Sequence, residues 1–326
     1  MTATEQAGTD RTGTESTSTR AILEAEALTG RSGWIARPGR SGRGPSRRSI
    51  RIRGSRPGWF VYAVLAIVLG SAVFPFYWSF LIGSGDASTI RDPNMSWIPG
   101  GNFLENAATV VNDPAVNFWK ALWNSILSSA LIAASVVFFS TLAGWAFAKL
   151  RFRGSKWLLV FVVATMAVPT QLGVVPLYIL FADLGWTGSL GAIIVPALTS
   201  AFGVFWMTQY LQQSVPDELI EAARVDGASS FRTFLTVGLP AARPAAAMLG
   251  LFTFVSAWNN FFWPFIVLDR NDPTLPVALS LLQSNHFVDY SIVLAGVLLS
   301  TIPLLILFVF AGKQLVSGIM AGAVKG

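Results

Sequence analysis

The residues best placed to do chemistry fall in one hydrophilic stretch, Ser214-Val215-Pro216-Asp217-Glu218-Leu219-Ile220-Glu221-Ala222-Ala223-Arg224-Val225-Asp226-Gly227. It continues as Ala228-Ser229-Ser230-Phe231-Arg232-Thr233-Phe234-Leu235-Thr236-Val237-Gly238-Leu239-Pro240. Ser214, Pro216 and two acids form a helix start, Gly227 breaks that helix, and Ser229 or Ser230 caps a second. Leu239-Pro240 is expected to stop the second helix. Leu219, Ile220 and Ala223 supply an apolar stripe on the first helix, and Phe231, Phe234 and Leu235 on the second. The small pair Ala222-Ala223 admits another backbone or side chain closely. Such a hairpin is either an amphipathic element lying on a membrane surface or a helix that docks in a partner's groove.

Other chemistries lack their residues. With no cysteine, disulfides, zinc thiolates and cysteine nucleophiles are excluded. His286 is the one histidine and lies in a polar stretch, which reads as a loop residue and not as a metal ligand. Gly312-Lys313 is followed by Gln314 and lacks the earlier glycine of a phosphate-binding loop. H-E-x-x-H and G-x-S-x-G do not occur. The chain is therefore expected not to be an enzyme and to need no cofactor.

The elements that position the 214–240 stretch are apolar. Of 326 residues, 53% are hydrophobic and 12% charged, and mean hydropathy is +0.56; a soluble domain carries about 25% charged residues. Residues 1–56 hold eleven arginines and five acids, so the net charge of +6 lies entirely there. That places a basic tail beside a membrane and argues against a nucleic-acid partner. Lacking any sustained apolar run, the tail is expected to be disordered. The first apolar segment comes too late and is too long for a cleaved signal peptide, and is expected to remain as an anchor.

Charge-free intervals mark the spans, since about 20 apolar residues cross the hydrocarbon as a helix. They lie between Arg56 and Asp86, Lys120 and Lys149, Lys156 and Asp183, Asp183 and Asp217, Arg243 and Asp269, and Asp289 and Lys313. The fourth is expected to be helical near 190–211. Basic residues then set orientation. Arg47, Arg48, Arg51, Arg53 and Arg56, the run Lys149, Arg151, Arg153 and Lys156, and the C-terminal Lys313 and Lys325 all fall on the cytoplasmic side. The expected fold is an all-α membrane protein: six transmembrane helices in 57–326, both termini inside, and a cytoplasmic hairpin at 214–240. Pro75, Pro169, Pro176, Pro196, Pro264 and Pro303 interrupt the spans, where kinks serve packing or shape a path.

Glu221-Ala222-Ala223, three residues, Gly227, nine residues, then Val237-Gly238-Leu239-Pro240 resembles the EAA loop of binding-protein-dependent ABC importer permeases. Valine at 237 is a mild departure from the family's usual isoleucine. Asn124-Ser125, the run Ala143–Phe152, Trp258-Asn259-Asn260-Phe261 with Pro264, and the ending Ala321–Gly326 are similar to the MalG-like half of carbohydrate-uptake permeases. The resemblance covers most of 58–326. It implies a plasma-membrane permease subunit of a sugar (oligosaccharide) importer in a bacterium. Its expected partners are a second homologous permease, two ATP-binding subunits and an extracytoplasmic sugar-binding protein.

By the same resemblance Glu221, Ala222, Ala223, Asp226, Gly227, Leu239 and Pro240 form the ATPase-coupling element, with Glu221 meeting a cation on the ATPase. Substrate-path candidates are the polar or aromatic residues inside spans: Asn124, Gln171, Thr199, Trp206, Trp258, Asn259 and Asn260. An ion-driven carrier is the main rival reading. It needs ionisable groups inside the membrane, and the six intervals hold none. A scaffold that recruits a partner through 214–240 is the second, and the polar residues within spans count against it.

Overall fold

The computed structural model describes residues 58–88, 90, 96–283 and 288–323, with side chains described as far as residue 312. The expectations for the basic tail and for His286 lie outside the described residues. The α-helices run in the order α1 (Trp59–Gly83), α2 (Phe103–Asn112), α3 (Phe118–Lys149), α4 (Ser155–Thr165), α5 (Val174–Asp183), α6 (Gly191–Ile194), α7 (Ala201–Ser214), α8 (Asp217–Val225), α9 (Ser230–Thr233), α10 (Leu239–Trp258), α11 (Phe262–Val267), α12 (Leu275–Ser280) and α13 (Tyr290–Ala323).

Among the described residues five helices are long and apolar enough to cross a membrane: Trp59–Gly83, Phe118–Lys149, Gly191–Ser214, Ser230–Trp258 and Tyr290–Gly312. The sixth expected span is α4 with the Thr170–Asp183 pair, bent by 86°. The break is local chemistry. Pro169 disfavours a helical Val168 and itself sits at ψ 124°, outside the helix. Pro176 lies in the first turn of α5, where an N–H has no intrahelical acceptor anyway.

The fifth span differs from its expected bounds. Leu239-Pro240 does not stop a helix; α9 runs through a π turn, Phe234–Gly238, into α10 as one helix, Ser230–Trp258. In that turn the Leu239 N–H reaches back to the Phe234 carbonyl. The widened turn gives the Pro240 ring the room a regular helix denies it. Arg243 therefore lies inside the helix, and Pro264 belongs to the separate short α11. Ser214 ends α7 and does not start α8, whose N-cap is Pro216.

At the centre, α3 packs against α7 and α10, α10 meets α13, and α13 meets α1 and α2. Small residues permit this: a Cβ on Gly203 would fall 2.3 Å from Ser140 Oγ, and one on Gly83 3.1 Å from the Ala295 backbone nitrogen. One core gathers Ile132, Val136, Trp145, Met207, Leu211, Val215, Ile220, Phe234 and Leu249. A second, at the start of α3, gathers Val110, Phe118, Leu275, Leu279 and Trp258. By contrast α1 buries only Leu81, Ile82 and Gly83; an apolar helix so uncovered is stable only against lipid or another apolar subunit.

Candidate coupling helix and polar cavity

Helix α8 begins with Asp217 and Glu218 in its first turn and carries Arg224 in its last, the arrangement that suits the helix dipole. Its end is fixed by hydrogen bonds. Ala228 N–H donates to the Ala223 carbonyl at 2.9 Å, and Gly227 N–H donates to the Arg224 carbonyl at 3.0 Å. This pair of bonds requires a left-handed residue at 227, and Gly227 has φ 75°. Nothing lies within 4 Å of a Cβ there, so the demand for glycine is conformational and not steric. Ser229 then caps α9, its hydroxyl accepting from Arg232 N–H at 3.3 Å.

Two contacts fasten α8 to the bundle. Ile220, 7% exposed, enters the core beside Trp145 and Phe234, a burial that contributes about 1.5–3 kcal/mol. Three residues earlier, at the start of α8, Asp217 Oδ1 pairs at 2.8 Å with Lys149 Nζ from the last turn of α3. The Lys149 side chain is only 5% exposed, whereas that of Asp217 is 69% exposed. The Lys149 hydrogen bond and charge, helped by Arg151, lower the Asp217 carboxyl below its ordinary value of 3.8. A lowered carboxylate stabilises the fold above the unfolded value and loses that contribution as pH falls through the folded one. The tether is therefore complete from about pH 8 to about pH 5. Hydrogen–deuterium exchange should give α8 the same protection factors across that range, and Asp217→Asn should lower them at every pH in it.

The predicted coupling residues come together only in part. Glu221 and Ala222 are exposed on α8, and among the described residues neither ion pair involves Glu221. Ala223 is half-buried, while Asp226 closes the helix as its C-cap. Leu239 and Pro240 stand apart in the first turn of α10. Of the expected apolar stripes, only Ile220 and Phe234 are buried; Leu219, Phe231 and Leu235 remain exposed. Gly238 has a clear steric reason, since its Cβ would meet ring atoms of Trp145 at 2.6 and 2.7 Å.

A cavity of about 540 Å³ separates α8 from the turn after α3, lined among others by Lys149, Arg151, Arg153, Lys156, Glu221 and Arg224. A second, of about 680 Å³, lies between α3, α7, α10 and the broken third span. Thr170, Thr199, Ser200, Thr253, Ser256 and Asn260 give it hydroxyls and an amide, and Phe202 and Phe252 give it aromatic faces. Among the described residues no ionisable side chain lines it. Such a surface can hydrogen-bond a neutral, hydroxyl-rich solute and stack on its C–H faces.

Of the predicted path residues, Thr199 and Asn260 line this cavity. Gln171 is exposed in the short helical turn directly after Thr170, and Asn259 turns its amide back onto the Val255 carbonyl at 2.9 Å. Asn124 and Trp258 are placed elsewhere. Asn124 is 5% exposed and donates to the Pro273 carbonyl at 3.1 Å. Its neighbour Ser125 accepts from Leu275 N–H at 2.7 Å, so the pair pins the start of α12. Trp258, 3% exposed, stacks on Phe254 within the second core. Trp206 packs against the first core. Thr253 and Ser256 were not singled out from the sequence, although 253, 256 and 260 form a polar stripe at helical spacing.

Residues 137–317 match the model of the family described as binding-protein-dependent transport system inner membrane component. The chain is 31% identical over 246 residues to the arabinooligosaccharides transport system permease protein AraQ of Halalkalibacterium halodurans, covering 71% of this chain and 88% of that one. It is 32% identical to the trehalose/maltose transport system permease protein MalG of Thermococcus litoralis, covering 81% and 95%. It is 30% identical to the lactose transport system permease protein LacG of Rhizobium radiobacter, covering 84% and 98%. Its fold matches a chain in the crystal structure of a bacterial ABC transporter that imports the acidic polysaccharide alginate, with a TM-score of 0.65 at 23% identity over 78% of this chain and 95% of that one. The chain belongs to the family of binding-protein-dependent transport system inner membrane components, and is a membrane-embedded permease subunit of an ABC transporter.

Proposed function

We propose that this permease forms one half of the translocation path of a sugar importer in a bacterial plasma membrane. Its partners are a second homologous permease, two ATP-binding subunits and an extracytoplasmic sugar-binding protein. The observation that carries the reading is α8: a short helix fastened to the bundle through its first turn, with Glu221 and Ala222 facing outward on a bundle whose relatives are named for arabinooligosaccharide, trehalose/maltose and lactose transport. Basic residues at the α8 end of the bundle support a cytoplasmic position for that end and for both termini.

The mechanism follows from the two fastenings. An ATPase subunit grips α8, with Glu221 against one of its cations, while Asp226 and Gly227 keep the helix end closed. Movement of α8 then passes through Ile220 and Phe234 to Trp145 on α3, and through α9 directly into α10. Since α3 and α10 wall the polar cavity, ATP-driven displacement of α8 reshapes the path. ATP must favour one access state over the other for any shift to occur. The neutral lining of the cavity suits an uncharged saccharide.

Two measurements test this. When the solubilised complex is purified through a tag on this chain, the wild type should bring down an ATPase subunit, and Glu221→Lys should lose at least about 90% of it by reversing a charged contact. Wild type arriving without an ATPase under gentle conditions would sink the importer reading. Ser256→Trp fills the polar cavity at a distance from α8. It should cut labelled-maltooligosaccharide uptake in assembled complexes about tenfold or more, while ATPase copurification stays at the wild-type level.

A further inference from the structure

The 540 Å³ groove beside α8 has a charge balance that coupling does not use. Five cations line it, Lys149, Arg151, Arg153, Lys156 and Arg224, against two acids, Asp217 and Glu221. Asp217 is already neutralised by Lys149. Among the described residues neither ion pair involves Arg151, Arg153, Lys156 or Arg224, and all four are exposed. Ser155 and Lys156, in the first turn of α4, also line the groove. Gly154 precedes that turn and provides no side-chain cap; Ser155 N–H donates to the Phe152 carbonyl at 3.4 Å, and the positive end of the α4 dipole adds to the field.

We propose that this groove binds a phosphate-bearing anion, and that its occupant is the headgroup of an acidic phospholipid. Guanidinium forks and an ammonium converging on one concavity are the donors that phosphate oxygens take. The lipid source follows from what adjoins the groove. Helix α4 leaves it with Trp157 82%, Leu158 47% and Phe161 66% exposed. A tryptophan at the charged end of an apolar helix marks the membrane interface, and the apolar flank beyond it gives an acyl chain a surface to lie on. A free phosphate would use the cations and leave that flank without a role. A lipid held here bridges the turn after α3 to α8, so membrane charge bears on the position of the coupling helix. The inference rests on the bundle spanning a membrane and not on which solute it carries.

The full-length chain, purified in neutral detergent and stripped of lipid, is offered equal amounts of dioleoylphosphatidylglycerol and dioleoylphosphatidylcholine, and bound lipid is counted by native mass spectrometry. The wild type should retain the glycerol lipid about tenfold over the choline lipid. The triple variant Arg151→Gln, Arg153→Gln, Lys156→Gln should bring the two to parity, while Arg270→Gln, on a loop outside the groove, should keep the preference. Asp217→Asn frees Lys149 and should raise glycerol-lipid retention about fivefold, which decides the matter even where the triple variant folds poorly. A triple variant with undiminished preference, or an Asp217→Asn chain with no gain, would overturn the proposal. Displacement of the lipid by about a tenfold molar excess of inorganic phosphate would overturn the lipid assignment, because a site that holds the acyl chain as well as the headgroup does not yield to the anion alone.

Discussion

Gly144→Val is expected to leave the chain without a stable bundle. Any side chain at 144 places its Cβ 2.6 Å from Met207 Cβ and 2.9 Å from both the Met207 carbonyl carbon and the Thr208 nitrogen. Two of these three atoms are backbone, and Met207 and Thr208 are themselves fully buried, so no side-chain rotation relieves the clash. The only escape is to part α3 from α7, the two helices that form the centre of the fold. Overpacking of this kind costs about 3 kcal/mol or more once backbone has to move. Gly144→Ala should be milder, at about 1–3 kcal/mol. Thermal unfolding of detergent-purified chains measures both, and a Gly144→Val chain that melts with the wild type would show that α3 and α7 do not approach so closely.

Gly238→Val is expected to have an effect of similar size by a different route. Here the obstacle is the indole of Trp145, whose ring atoms would lie 2.6, 2.7 and 3.1 Å from the new Cβ. Trp145 is 3% exposed and packs against Phe234 with ring centres 5.9 Å apart, so it has nowhere to swing. The cost should be about 2–3 kcal/mol, and uptake should fall with it, because Trp145, Phe234 and Ile220 are the apolar path from α8 to α3. Removing the obstacle gives the discriminating control. Trp145→Leu alone leaves a cavity and destabilises, but combined with Gly238→Val it should recover part of the loss. A double-mutant cycle then yields a coupling of about 1–3 kcal/mol. Strict additivity would place the two residues out of contact and remove the steric account of Gly238.

These two glycines and Gly227 show how differently one residue type is used. At 227 the backbone needs a positive φ and space is ample. At 144 the backbone is ordinary α-helix and at 238 it is the last residue of the π turn, right-handed in both cases, so space is the whole requirement. All three read alike in the sequence. Only Gly227 stands where its neighbours disclose its role, four positions after Ala223 and closing a helix that opens with Pro216-Asp217-Glu218.

The rough positions of the spans were legible from composition, because hydrocarbon thickness is a one-dimensional constraint that charge-free intervals report; the start of the fifth was not, since that helix takes in Arg232 and Arg243. The end of α8 was legible too, because a helix C-terminus is made by residues within five positions of one another. The interruption at Pro169 was equally local, although its 86° angle was not. Every property that depends on a distant partner had to wait for the folded chain. Asn124 and Asn260 are both polar residues inside apolar segments. Asn124 is held by a carbonyl 149 residues away and serves the loop before α12, whereas Asn260 opens into the polar cavity. Trp258 has the composition of a sugar platform, and the packing of Phe254 and α12 makes it core. Pro240 has the composition of a helix stop, and the π turn carries the helix past it. Propensity and hydropathy act along the chain. Partners for polar groups, and room for a Cβ, are settled by what folds back from elsewhere.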